Sequence, residues 1–305
     1  MTLKLTHHHG VRHPSLVLLA LAGVLAACSG GQSTSVGSSH PSTSGSASTS
    51  TTTTTIAVRA DSPAALANTL TQIERELRQP SAASTPSLGR AQQSAYGALK
   101  AHPDWRPTVL AAIGPDVHDA VNTNVDADLA LEALFTGGGP APTSLPSTSI
   151  RIPVPAAQLL ADYQEAEVTT GVPFAYLAAI NFIESRFGRN PGQSTAGAQG
   201  PMQFEPATWA QYGHGANIQD DHDAILAAGR LLAANGGSAN IAKAIFAYNN
   251  SHEYVRAVQD YANVMIAAPS AFYGYYQWQV YTKTTAGTFL LPEGYPNQPA
   301  VRTSG

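Results

Sequence analysis

The sequence has little charge and a single cysteine. Only 12% of its 305 residues are charged, and 16 Lys and Arg against 20 Asp and Glu give a net charge of -4. Because phosphate backbones are bound by basic surfaces, this balance argues against nucleic acid as a partner. The lone Cys28 excludes an internal disulfide and a zinc site built from several cysteines. What the chain does have is 43% apolar residues, enough for a sizeable hydrophobic core.

Residues 1–28 have the pattern of an export signal. Lys4 and Arg12 precede an apolar run at 16–25, which is too short to span a membrane as a stop-transfer helix. The run ends in Leu-Ala-Ala-Cys, which resembles a bacterial lipobox and implies that Cys28 is lipidated and becomes the mature N-terminus. The alternative is an ordinary secretory signal with a chance cysteine. The lipobox interpretation predicts an exported protein, lipid-anchored on the extracytoplasmic side of the cell membrane.

Residues 29–56 have the composition of a flexible tether. Between Ser29 and Thr55 there are ten Ser and eight Thr, no charged side chain, and Val36 as the one large apolar residue. Such a segment cannot bury enough apolar surface to offset the entropy of ordering it. We therefore expect residues 29–56 to be a flexible tether that keeps the following domain near the membrane.

The rest of the chain has helical periodicity and predicts a mainly α fold. We divide it into a small helical region at 57–136, a Gly/Pro/Ser-rich connector at 137–154, a larger domain at 155–291 and a tail at 292–305. The predicted elements are helices at 62–77, 88–101, 105–113, 125–135, 156–169, 173–187, 222–235, 239–249 and 252–266, and a hairpin from strands at 280–282 and 288–291.

Two clusters of side chains are interpreted as structural. Asp220, Asp221 and Asp223 stand where a helix start needs acidic residues, so we expect a helix cap rather than a metal site, and no cofactor. The aromatic residues at 273–281 could line a sugar groove, but packing against the helices is the preferred interpretation.

Glu184 is the candidate for chemistry. It follows Leu177 by seven positions on the apolar stripe of the helix at 173–187, where an aliphatic core residue would be expected. Burial raises a carboxyl pKa and keeps the group protonated near neutrality, ready to donate to a leaving oxygen. The alternative is a Glu that reaches solvent or pairs with Arg186 or Arg189. Periodicity alone does not choose between the two.

Three ordered motifs favour the catalytic interpretation. Glu184-Ser185 is followed by Gly200-Pro201-Met202-Gln203 and by Ala-Tyr-Asn at 247–249. In this order the motifs resemble those of the lytic transglycosylases that cleave bacterial peptidoglycan. The sequence around 200–213 is similar to that of an actinobacterial-type lipoprotein branch of this family. The resemblance covers about residues 155–291 and implies a lysozyme-like α-helical domain.

The resemblance also implies roles for individual residues. Glu184 would protonate the oxygen between N-acetylmuramic acid and N-acetylglucosamine, then take the proton of the muramic C6 hydroxyl to close a 1,6-anhydro ring. The glycan strand would be bound by Ser194, Met202, Gln203, Tyr248 and Asn249, with Tyr248 placing its hydroxyl near Glu184; Ser185 and Gly200 would support the site.

Two alternatives remain open at this stage. Glu205 departs from the Met or Leu common at its position, which leaves a two-carboxyl hydrolase of the lysozyme type as one alternative. A catalytically silent lipoprotein that binds peptidoglycan is the other.

Overall fold

The computed structural model describes residues 57–79, 85–134 and 139–304. Within these ranges the chain forms eleven α-helices and a small antiparallel sheet, which confirms the mainly α prediction. The helices are α1 Pro63–Leu77, α2 Thr85–Ala101, α3 Arg106–Ala112, α4 His118–Leu134, α5 Ala156–Thr170, α6 Phe174–Ser185, α7 Pro206–Tyr212, α8 Asp221–Ala234, α9 Ile241–Tyr248, α10 His252–Ala267 and α11 Ala271–Tyr276. Short 3₁₀ turns lie at Pro103–Trp105 and Gly237–Asn240.

The first helix forms as its sequence predicts. The Ser62 hydroxyl accepts a hydrogen bond from the Ala65 amide at 3.3 Å, and Pro63 begins the helix, where a missing N–H costs nothing. The apolar positions of α1, Leu66, Leu70 and Ile73, are fully buried. Helix α4, in contrast, begins seven residues before the predicted start at 125, because Val117 and Val121 already pack into the core.

The region before the connector shares its core with the larger domain. Buried side chains of α1, α2 and α4 belong to the same hydrophobic cluster as those of α6 and α10. Helices α4 and α10 pack along each other, and the Tyr261 hydroxyl of α10 donates to Asp128 of α4 at 2.8 Å. The domain boundaries drawn from the sequence remain a prediction, but the two regions are in close contact.

Helix α6 lies at the centre of the larger domain. From Ala175 onward its side chains are buried except for Tyr176, including the polar Asn181, Glu184 and Ser185. Helices α5, α8, α10 and α11 contact it. A helix buried on nearly all sides has no broad polar face, which is why its sequence is almost continuously apolar.

Asp220, Asp221 and Asp223 lie at the start of α8, as expected. The Asp220 carboxylate accepts the Asp223 amide at 3.1 Å. Asp221 turns inward instead and pairs with Arg151 at 2.5 Å. Two short helices, α7 and α11, of seven and six residues, were not predicted from the sequence.

The C-terminal sheet is larger than predicted. Strands β1 Val280–Thr284 and β2 Gly287–Leu291 form the expected hairpin, and β3 Val301–Ser304 pairs antiparallel with β2. The segment predicted as a tail, 292–305, thus contains a short strand at the edge of β2, which four residues are too few to reveal as a periodic pattern. Of the aromatic residues at 273–281, Tyr275 and Trp278 are buried and Tyr273 and Tyr276 pack partly buried against the core, whereas Tyr281 lines a cleft.

The export signal, Cys28, the tether and part of the Gly-rich break at 137–139 lie outside the described residues. Among the residues that are described, no helix has the length and apolar character that a membrane crossing requires.

Candidate active site

Glu184 lies buried near the C-terminal end of α6. Only 8% of the surface of Glu184 is exposed, and this burial raises the pKa of its carboxyl to about 8. The Tyr254 hydroxyl donates to Oε1 of Glu184 at 2.5 Å and lowers the pKa, but less than burial raises it. The carboxyl is therefore protonated at neutral pH and hydrogen-bonded in a defined orientation.

Neither arginine that could have neutralised Glu184 does so. The Arg186 guanidinium lies over the Phe182 ring at 4.2 Å and donates to the Phe182 carbonyl. Arg189 pairs with Glu293 at 3.4 Å. The alternative of a surface or ion-paired Glu184 is wrong, because the backbone turns left-handed at Arg186 (φ 55°) and carries both arginines away from the acid.

Tyr254 is the site residue that the sequence analysis missed. It stands at the start of α10, where Ser251 caps the helix by accepting the Tyr254 amide at 3.3 Å. Tyr254 is fully buried and belongs to the same face of α10 as Val258 and Tyr261. Its only sequence signal is that of a core residue, so periodicity could not mark it as a partner of the acid.

Tyr248 lies close to the acid but uses its hydroxyl elsewhere. Burial and, secondarily, the Glu184 carboxyl raise the pKa of Tyr248, and its ring is parallel to that of Tyr254 at 6.5 Å. The Tyr248 hydroxyl donates to the Met202 carbonyl at 2.5 Å. Tyr254, rather than Tyr248, thus holds the hydrogen bond to Glu184, while Tyr248 holds the Gly200–Gln203 turn.

Ser185 joins the catalytic helix to that turn. Its hydroxyl donates to the Pro201 carbonyl at 2.6 Å and accepts the Gly188 amide at 2.8 Å. The two motifs that lie sixteen residues apart in sequence are therefore linked directly beside Glu184. This is a supporting contact of the kind expected of Ser185.

The turn itself needs a glycine and is fastened by Gln203. Gly200 has φ +77°, and a Cβ there would lie 1.9 Å from the Ile218 carbonyl oxygen. Gln203 is left-handed at φ 47°, and its side-chain amide donates to the carbonyls of Gly192 and Gly200 at 3.0 and 2.9 Å. Its Oε1 is buried and has no protein partner. The amide N–H groups thus hold the loop, and the oxygen is the atom left to accept a further hydrogen bond.

The other residues predicted to bind the glycan strand are Met202, Ser194 and Asn249, and they differ in burial and in their contacts. Met202 is fully buried, so its side chain packs beneath the turn and does not face a ligand. The Ser194 hydroxyl accepts the Ala198 amide at 3.0 Å and closes the loop at 194–198. Asn249 is half-buried directly after α9, and its carbonyl accepts the Ser251 amide at 2.7 Å. The last contact ties the Ala-Tyr-Asn motif to the cap of α10, and hence to Tyr254.

Other acidic residues have structural tasks. Glu205 precedes α7 and accepts the Trp209 amide with its backbone carbonyl, while its side chain makes no cap hydrogen bond. Burial raises the pKa of Asp221 to about 6 despite its pairing with Arg151. In the described ranges, no second carboxylate contributes to the pKa shift of Glu184. One group there, Asp220, His222 and Asp223, has atoms within 4.8 Å of one another as a metal site would, but the two Asp side chains already accept amides around the start of α8.

Comparison with known proteins assigns this helical domain to a family. Residues 162–265 match the model of the transglycosylase SLT domain, a segment that includes Glu184, the Gly200–Gln203 turn, Tyr248 and Tyr254. Searches of curated proteins and of solved structures gave no match. The chain therefore carries a lysozyme-like transglycosylase SLT domain, a family that comprises lytic transglycosylases, which are lyases acting on peptidoglycan.

Proposed function

We propose that the protein is a membrane-anchored lytic transglycosylase that leaves 1,6-anhydro-muramic ends, with Glu184 as its sole catalytic carboxyl. The observation that carries the proposal is a buried, protonated carboxyl oriented by a tyrosine inside an SLT domain. Such a group can act as a general acid at neutral pH, where an exposed Glu would be ionised.

The reaction needs one carboxyl in two protonation states. Glu184 donates its proton to the oxygen that joins N-acetylmuramic acid to N-acetylglucosamine, and the bond from the muramic C1 to that oxygen breaks. The Glu184 carboxylate then takes the proton of the muramic C6 hydroxyl, whose oxygen forms the new bond to C1. Glu184 ends protonated, and no water is consumed.

Tyr254 suits this double role. While Glu184 is a neutral acid, the tyrosine hydroxyl holds Oε1 in place and leaves the other oxygen to carry the proton. When Glu184 is a carboxylate, the same hydrogen bond stabilises the negative charge in a buried site.

The test is digestion of isolated peptidoglycan followed by mass spectrometry of the fragments. We expect anhydro-muropeptides from the full-length protein and none from Glu184→Gln, which should fold normally because an amide replaces a protonated carboxyl of the same shape. Fragments heavier by one water, with reducing ends, would instead identify a muramidase. A protein that sediments with the wall and releases nothing would be a binding lipoprotein.

Anchoring is a separate part of the proposal and rests on the lipobox-like ending at Cys28. Full-length protein expressed in a bacterial host should partition into detergent and carry an acyl mass increment on its N-terminal peptide. Cys28→Ser should lose both while cleaving peptidoglycan as before. Equal partitioning of the two proteins would contradict lipid attachment at Cys28.

A further inference from the structure

A cleft of about 830 Å³ lies beside the loop that carries the Gly200–Gln203 turn. Its walls are residues 146–149 of the connector, residues 190–195 of the loop, and the sheet at 280–282 with Leu291. The connector and the sheet lie outside the segment that matches the SLT domain. The volume is in the range of sites for small organic ligands.

The lining of the cleft is polar but uncharged. None of its seventeen lining residues, all in the described part of the chain, is Asp, Glu, Lys, Arg or His. Eleven of them carry a hydroxyl or a side-chain amide, and Val280, Leu291 and three prolines add apolar surface. A ligand that matches this lining offers many neutral donors and acceptors on a partly apolar frame.

This chemistry separates the two halves of peptidoglycan. An N-acetylated sugar is neutral and presents hydroxyls, an amide and apolar ring faces. A peptide stem carries carboxylates, which lose hydration in a cleft and require a cation or several converging donors in return. With no cationic side chain in its lining, the cleft favours the sugar.

The cleft is fixed relative to the catalytic helix by hydrogen bonds. The backbone N–H of Asn190 donates to the backbone carbonyl of Ser185, the residue after Glu184, at 2.9 Å. The Asn190 side chain accepts the Thr148 hydroxyl at 2.6 Å, which fastens the connector wall to the loop. The side-chain amide of Gln203 donates to the carbonyl of Gly192, which lines the cleft. Glu184 does not line the cleft, so a sugar held there would not be in contact with the catalytic carboxyl.

We propose that this cleft is a glycan subsite that binds neutral N-acetylated sugars of the strand next to the cleaved bond and leaves the peptide stems outside. The proposal rests on the function proposed above. It adds that the connector and the C-terminal sheet, not the SLT domain alone, recognise the substrate.

The experiment measures binding of a peptide-free N-acetylglucosamine oligosaccharide to the full-length protein with Glu184→Gln, so that turnover does not interfere. Ser149→Arg places a long side chain at the cleft, and Ser144→Arg makes the same change at another exposed serine of the connector that does not line it. We expect Ser149→Arg to weaken binding about tenfold or more and Ser144→Arg to leave it unchanged. Equal affinities of the two variants, or no binding by the parent protein, would overturn the proposal.

A second pair of variants and a second probe sharpen the result. Gln193→Ala removes an exposed amide from the cleft, whereas Gln164→Ala removes an exposed amide of α5 that does not line it. Only the first should weaken oligosaccharide binding, and a free anionic stem peptide should not compete; competition by the peptide would assign the cleft to the stem. If the parent enzyme fails to release anhydro-muropeptides but oligosaccharide binding still depends on Ser149 and Gln193, the proposed function fails and the sugar cleft stands.

Discussion

At the residue scale, the chemistry depends on the surroundings of one carboxyl. Burial raises the pKa of Glu184 and the hydrogen bond from the Tyr254 hydroxyl lowers it by less, so that the pKa lies at about 8. The two effects have different consequences on mutation. Removing the carboxyl changes how stability depends on pH, and removing the hydroxyl changes how activity depends on pH.

Glu184→Gln should alter the pH dependence of stability. Because the folded pKa of about 8 lies above the unfolded value of 4.5, the unfolded wild-type chain loses the Glu184 proton first as pH rises. The wild-type free energy of unfolding therefore falls through this site between about pH 4.5 and 8, whereas glutamine has no proton to lose. Urea unfolding should show the variant gaining stability over wild type as pH rises across this window; a constant difference would mean that Glu184 is ionised in the fold.

Tyr254→Phe should shift the alkaline limb of the activity profile upward. Loss of the hydroxyl removes the one hydrogen bond that lowers the pKa of Glu184, so the acid titrates at higher pH. The rate at neutral pH should fall, since the carboxylate form needed for the second proton transfer loses its stabilising donor. Tyr248→Phe is the control, because its hydroxyl bonds the Met202 carbonyl, and it should leave the limb in place. An equal shift in both variants would contradict the distinct role of Tyr254.

At the scale of elements, the site depends on how α6 meets the Gly200–Gln203 turn. Ser185 bonds the Pro201 carbonyl from the helix end, and Tyr248 bonds the Met202 carbonyl from α9. The turn can lie this close to its neighbours only because Gly200 has no side chain where the Ile218 carbonyl passes. The sequence motif therefore encodes a close backbone approach as well as side-chain chemistry.

Gly200→Ala should be far more damaging than Gly215→Ala. Both residues are left-handed, at φ +77° and +80°, so both variants bear the cost of about 1–2 kcal/mol that a side chain incurs there. A Cβ at Gly215 meets nothing within 4 Å, whereas at Gly200 it meets the Ile218 oxygen at 1.9 Å. Thermal unfolding and peptidoglycan digestion should show a small loss of stability with full activity for Gly215→Ala, and a larger loss with little activity for Gly200→Ala. Equal losses would contradict the close approach.

At the scale of the whole molecule, the helices before the connector support the catalytic half. Helix α10, which supplies Tyr254, packs against both α4 and α6. A buried polar network adds to this contact: Glu74 of α1 accepts from Gln92 and Tyr96 of α2, and Tyr275 of α11 donates to Asn124 of α4. The helices α1, α2 and α4 are therefore joined by packing and hydrogen bonds to the half of the molecule that holds Glu184 and Tyr254.

Glu74→Ala should destabilise the entire molecule and not a separate N-terminal unit. It leaves the Gln92 and Tyr96 donors without their acceptor, and each such buried donor costs about 1–3 kcal/mol. Calorimetry should show one transition at a lower temperature, with activity lost in parallel. Glu76→Ala, which removes only an exposed contact to Gln72, is the control. A transition that splits, with the later part unmoved, would show that the two regions unfold independently.

The sequence by itself determined what is local. The Ser62 cap of α1, the Asp220 cap of α8, the hairpin at 280–291 and the placement of Glu184 on an apolar helix all follow from spacing over a few residues. Three ordered motifs were enough to predict the lysozyme-like domain that the family match supports.

The tertiary structure decided what depends on contacts between distant parts of the chain. In the sequence, Tyr254 has the pattern of a core residue. Only the folded position of α10 brings its hydroxyl within 2.5 Å of Glu184, seventy residues earlier in the chain. Strand β3, the shared core of α4 and α10, and the cleft beside the loop likewise arise from segments that meet only on folding. Local periodicity reports which face of an element is buried, but it carries no information about which other element covers that face, and here that second element sets the chemistry.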